Sequence, residues 1–182
     1  MATTTHSVTA DELMRLSDDG HRFELVKGEL LTMSPTSGKH GVVAMRLSRI
    51  LANYIEDSHL GLTFAAETGF RLEHDPDTVL APDFAFVSRD RISTLPDDGY
   101  VRLAPDLVVE VISPSQSDKD MRLKAGLWIS LGVKQVWLVQ PKKRTVELFV
   151  KTDEHVLLRE KDELTGGELI PGFRIRVSEI FS

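Results

Sequence analysis

The spacing of apolar residues along this chain shifts between alternation and a helical period, and those shifts outline its elements. Val43, Leu47, Ile50, Leu51, Tyr54 and Ile55 recur at helical intervals, so a long helix with one apolar face is expected from about His40 to Asp57. Upstream, Thr9-Ala10-Asp11-Glu12 reads as a capping box that opens a short helix ending near Asp19-Gly20. Arg22 to Val26 and Leu30 to Met33 read as strands joined at Lys27-Gly28, a hairpin signal. Leu62 to Ala66, Phe70 to Glu73 and Pro82 to Val87 continue a β-rich stretch, with a turn at His74-Asp75-Pro76-Asp77. Ser88 to Ala104 is polar and long for a loop in a compact domain.

Asp106 to Ile112 is the most apolar strand, and it suits a central position covered on both faces. Ser113-Pro114-Ser115 ends it, and a helix from about Ser117 to Leu131 closes at Gly132. Lys134 to Gln140, Thr145 to Val150, Val156 to Glu160 and Phe173 to Val177 read as further strands. No repeat, low-complexity tract or linker interrupts this order, so one α/β domain over residues 1–182 is expected, with a mixed sheet flanked by helices.

Composition changes this picture little. Of 182 residues, 41% are hydrophobic and 27% charged, as in ordinary soluble domains. The absence of cysteine excludes disulfides and thiolate metal sites and suits a reducing cytoplasm. No basic region followed by an apolar stretch opens the chain, and no run is long enough to span a bilayer, so neither a signal peptide nor a membrane partner is expected. A net charge of −6 argues against a protein that coats nucleic acid, but not against local contact through Lys39, Arg46 and Arg49, Lys119, Arg122 and Lys124, or Lys142-Lys143-Arg144.

The chemistry lies in three charged groups on the apolar frame. Glu110 stands inside Leu107-Val108-Val109-Glu110-Val111-Ile112, where a carboxylate is costly unless neutralised. Asp83 follows Pro82 at the start of another strand, and Lys124 lies about two turns into the next helix. Alternation puts Asp106, Val108, Glu110 and Ile112 on one face. If the strands are neighbours, Asp83, Glu110 and the Val111 carbonyl could hold Mg²⁺, with Mn²⁺ as a substitute, and Lys124 could orient a water. Glu24, between Phe23 and Leu25, could reach that metal through a water or hold a ligand in place. His40 and Arg122 are candidate substrate contacts.

Each of these residues also has a structural reading. Glu110 and Lys124 could form only a buried ion pair, Asp83 and Asp106 could be strand-entry acids, and Glu24 could face water.

The ordered set Phe23-Glu24-Leu25-Val26-Lys27-Gly28, Met33-Ser34-Pro35, His40, Pro82-Asp83-Phe84-Ala85-Phe86-Val87, Pro105 to Ser115, Lys124 and Gly132 to Val139 resembles the Uma2 family (DUF820). That family is a restriction endonuclease-like branch of the PD-(D/E)XK nuclease superfamily. The resemblance implies a metal-dependent DNA endonuclease leaving 5′-phosphates. Asp83 and Glu110 match its metal-binding acids, Glu24 its additional acid and Lys124 its helix-borne lysine. Ile112 stands where the superfamily normally has its lysine, and Trp128 stands where a tyrosine is usual. A homodimer is expected by analogy with such folds.

Three other readings compete with it. A catalytically silent nuclease-fold interaction module would fold without turnover. A two-carboxylate glycosidase would want an aromatic cleft, and only 7% of residues are aromatic. A serine hydrolase would need a Gly-x-Ser-x-Gly turn, which the chain lacks.

Overall fold

The computed structural model describes residues 7–16, 22–92 and 95–182. They form two compact units, one from the chain up to Pro35 with Thr68–Ala81 and Leu95–Ala104, the other from Thr36–Glu67, Pro82–Thr94 and Pro105–Ser182.

The first unit opens with helix α1 (Ala10–Arg15), followed by strands β1 (Arg22–Val26) and β2 (Glu29–Met33). The Thr9 hydroxyl accepts from the Glu12 N–H at 3.2 Å, and the Glu12 carboxylate accepts from the Thr9 N–H at 2.8 Å. The capping box is therefore complete. The helix ends at Arg15, and the expected end near Asp19-Gly20 falls outside the described residues. Lys27 and Gly28 both have positive φ, as a two-residue hairpin turn requires.

Strands β1 and β2 join two later strands in the order β2-β1, then Thr78–Leu80, then Phe70–Glu73. Ala10, Leu13, Leu25 and Val79 form this unit's core.

With Phe70–Glu73 as β4 and Thr78–Leu80 as β5 of the first unit, the second unit contains α2 (Gly38–Asp57), β3 (Gly61–Ala65), β6 (Phe84–Ser88), β7 (Leu107–Val111), α3 (Asp118–Ser130), β8 (Gln135–Gln140), β9 (Thr145–Phe149) and β10 (His155–Arg159). It closes with the short pair β11 (Glu163–Thr165) and β12 (Arg174–Arg176), then α4 (Val177–Phe181). The six-stranded sheet runs β10-β9-β8-β7-β6-β3. Only β7 and β8 pair in parallel within it, because α3 carries the chain from one to the other. The sheet is mixed and central strand β7 is buried throughout, as its unbroken apolar sequence predicts.

The two faces of β7 have different partners. Leu107, Val109 and Val111 pack with Val43, Leu47, Leu51 and Ile55 of α2 and with Val177 and Ile180 of α4. The alternate face carries Asp106, Val108 and Glu110. On α3, the buried residues are Met121, Ala125 and Trp128. Ser117 caps α3 through a hydrogen bond from the Asp120 N–H, and Gly132, at φ 97°, follows its C-cap. The long segment after β6 holds a 3₁₀ turn at Arg89–Arg91 and a parallel bridge from Val101 to Phe70. Among the described residues no helix is long and apolar enough to cross a membrane.

Candidate active site

Strand register brings the first two acids together. β6 and β7 pair with Phe84 opposite Val109. Asp83 immediately precedes Phe84 and Glu110 immediately follows Val109, so the pairing that aligns the apolar residues brings the two acids to the same end of the two strands. Asp83 cannot extend the ladder past Pro82, and its side chain continues the pairing instead. Its Oδ2 accepts the Val111 N–H at 2.8 Å.

Glu110 is 5% exposed and flanked by Val109 and Val111. A carboxylate there needs donors close by. Trp128 Nε1 donates to Oε1 at 2.8 Å, and Lys124 Nζ lies 3.0 Å from the same oxygen. Lys124 and Trp128 are four residues apart on α3, which puts them on one face, one turn apart. The helix packs on β8 and β9, and both side chains reach across to Glu110 on neighbouring β7.

His40 completes the cluster. It sits in the first turn of α2, whose Ser37 cap accepts the His40 N–H. Its Nε2 lies 3.2 Å from Asp83 Oδ2, with the imidazole side chain 7% exposed. Burial favours the neutral ring. The hydrogen bond and charge of Asp83, a backbone hydrogen bond to Val111 and the charge of Glu110 outweigh it, and hold the His40 pKa above its ordinary value. Its Nδ1 is buried with no hydrogen-bond partner among the described residues.

Asp83, Glu110, Val111, Lys124 and His40 thus gather at one end of β6 and β7. Arg122 points elsewhere. It makes a bidentate pair with Glu147 of β9 at 2.7 and 2.8 Å, and that hydrogen bond, despite partial desolvation, raises its pKa further. Glu24 belongs to the first unit, where its Oε1 accepts the Ala81 N–H at 3.0 Å. Asp106 precedes β7 and is fully buried. Its carboxylate accepts the Ser88 N–H and hydroxyl and meets Arg91 at 2.8 Å and Lys134 at 2.7 Å.

Trp128, which in the sequence is marked only by standing where a tyrosine is usual, is the residue that the structure adds to the cluster. Its spacing of four from Lys124 was the available signal. Glu147 gave none, because its partner lies on another element.

A metal here must rest on few protein ligands. Among the described residues, no three His, Asp or Glu side chains are grouped to hold an ion. Two carboxylates and a backbone carbonyl are nevertheless the hard oxygen donors that magnesium accepts while keeping several waters. These donor types would suit magnesium and not a closed zinc cage.

A family model described as "Putative restriction endonuclease" matches residues 10–178. The chain belongs to the Uma2 family. Uma2 covers both units and every residue of the cluster. A solved structure titled as a putative nuclease belonging to DUF820, from Anabaena variabilis, superposes with a TM-score of 0.81 at 18% identity. The alignment covers 96% of this chain and 97% of that one, and it shows that this Uma2 chain has the restriction endonuclease-like fold. No curated protein matches the chain.

Proposed function

We propose that this Uma2 protein is a magnesium-dependent endonuclease that hydrolyses DNA phosphodiester bonds. The observation that carries the reading is the buried Glu110 carboxylate, held by Lys124 at 3.0 Å at the strand end where Asp83 accepts the N–H of the next residue, Val111. A purely structural ion pair would not need the second acid. The family description and the neighbour's title also support a nuclease.

Asp83, Glu110 and the Val111 carbonyl would hold the ion. When bound, it supplies Lewis-acid stabilisation of the charge that develops on the phosphate. Lys124 contributes a fixed ammonium, 15% exposed, that can donate to an attacking water and orient it in line with the leaving oxygen. Trp128 holds Glu110 Oε1 in place, so the carboxylate does not rotate when Lys124 turns to water or substrate. His40 buttresses Asp83 from the opposite side.

The alternative is a nuclease fold that no longer cleaves and serves as an interaction module. The absence of a third grouped acidic or histidine ligand among the described residues favours it.

Cleavage of supercoiled plasmid with Mg²⁺, Mn²⁺ or EDTA separates the two. Metal-dependent nicking that Asp83→Asn abolishes supports the endonuclease. A folded protein that neither nicks DNA nor binds either metal by calorimetry supports the interaction module.

A further inference from the structure

Helix α2 breaks three rules for a stable helix. It contains Gly38 and Gly41, although glycine is among the least favourable residues in a helix. Neither has positive φ, and a Cβ built on either meets nothing within 4 Å. The fold therefore does not demand glycine at these positions.

The charges are also reversed with respect to the helix dipole. The first turn has no acid and the last turn no base, while Lys39 stands at the positive end and Glu56 and Asp57 at the negative end. Between Gly38 and Ile55 the helix carries Lys39, Arg46 and Arg49 and no acid, in a chain of net charge −6.

Finally, Met45 is 67% exposed on the outward side. At 100° per residue, Gly38, Met45 and Arg49 lie within about 40° of one another, with Lys39, Gly41 and Arg46 flanking them. Opposite them lie the buried Val43, Leu47, Leu51 and Ile55.

Local preferences that fail together at non-core positions of one helix indicate a function for its outer surface. Missing side chains let a partner approach the helix backbone, and unopposed cations at the positive helix end attract an anion. Lys39 and Arg49 have no ion-pair partner among the described residues, and Arg46 reaches only the Ile180 carbonyl, at 3.4 Å. The same helix turn carries His40 on its buried side, where Nε2 lies 3.2 Å from Asp83 Oδ2 at the helix start.

We infer that the outward face of the first three turns of α2 binds the phosphate backbone of duplex DNA and leads it to the cluster at Asp83. The inference rests on the phosphodiester reading of that cluster and names the surface that brings the substrate there. Charge complementarity selects the polyanion over a second copy of this acidic chain.

The test is fluorescence anisotropy of a labelled duplex DNA with the full chain over a range of salt, alongside steady-state cleavage. A combined Lys39→Gln, Arg46→Gln, Arg49→Gln variant should weaken binding by at least about tenfold at low salt. It should also lower the salt slope by about two to three, near 0.9 per lost phosphate contact. KM should rise while kcat holds. Gly41→Ala should melt at or above the wild-type temperature yet bind DNA several-fold more weakly, a combination that a structural role would not produce. Lys151→Gln, which removes an exposed lysine paired with Glu154, should change neither.

If the wild type binds and cleaves DNA and these α2 variants match it in affinity and slope, the surface is wrong and the nuclease reading stands. If the folded wild type binds no DNA at low salt, both fail. If the variants alter the sedimentation of the protein alone and leave DNA affinity intact, the face belongs to a second copy and the inference is overturned.

Discussion

Trp128 donates its indole N–H to Glu110 Oε1 at 2.8 Å, the oxygen that Lys124 also approaches at 3.0 Å. One carboxylate oxygen thus receives two donors from one helix face. Trp128→Phe keeps most of the ring volume and removes only the donor. It should cost about 1–3 kcal/mol by urea denaturation, the range for a buried polar group that loses a partner. Cleavage should fall as well, because Glu110 is then held by fewer groups. Loss of activity with unchanged stability would argue that the indole acts on substrate instead.

Metal binding should be visible without turnover. A ligand that binds only the folded state raises stability by RT ln(1 + [L]/Kd), about 2.7 kcal/mol at a hundredfold excess over Kd. Mn²⁺ should therefore raise the melting temperature of the wild type. It should not raise that of Asp83→Asn or Glu110→Gln. An equal rise in all three would place the ion elsewhere.

Asp106 gives the complementary control. It lies four residues before Glu110, about 13 Å away along an extended strand. Burial raises its pKa, but Lys134, Ser88 and Arg91 outweigh that and hold it below the usual carboxylate range. Asp106→Ala leaves the Ser88 N–H and hydroxyl without their acceptor and frees the partly exposed Arg91 and Lys134, and should cost about 1–3 kcal/mol. A chemical denaturation curve measures this. The Mn²⁺ response of the folded fraction should survive.

Asp77 makes the first unit sensitive to acid. Burial alone would raise its pKa. The Ala10 N–H, His74 and Arg71 overcome that and hold it at about 2, against 3.8 for the unperturbed group. The folded value lies below the unfolded one, so the stabilisation is complete above the unfolded pKa and is lost as pH falls through the folded pKa. It amounts to about 2 kcal/mol. Asp77→Asn should lower stability at neutral pH by about that amount. Its stability should then vary less than the wild type's between pH 5 and 2, followed by urea melts at each pH.

Much of this was legible in the sequence because the signals are local. Val43 through Ile55 marked α2, which begins at Gly38, two residues before the expected start. The apolar run around Glu110 marked the central strand, and Ser117 and Gly132 bracketed α3. The short strands escaped. Thr78–Leu80 is too brief to display a period, and it was hidden between the turn at Asp77 and the proline at Pro82. Phe173 to Val177 read as one strand, yet the strand covers Arg174–Arg176 and Val177 begins a helix capped by Glu179.

At the site, the acids were readable because a carboxylate among Val and Ile needs an explanation. The partners were not, because they depend on which face of one element meets another. Arg122 and Lys124 are two residues apart on one helix, yet they turn to Glu147 and Glu110 on different strands. His40 reads in the sequence as a candidate substrate contact at the start of a helix, and the fold sets it against Asp83.

The central claim is that Glu110, Asp83 and Lys124 form one hydrolytic site, and single-turnover cleavage of duplex DNA in Mn²⁺ by Lys124→Met tests it most directly. That change keeps the length of the side chain and removes the ammonium, and a melting curve on the same sample verifies the fold. Cleavage should fall by at least about a hundredfold, the scale of one lost electrostatic group in a transition state, with DNA affinity retained. Cleavage at the wild-type rate by folded Lys124→Met would contradict it.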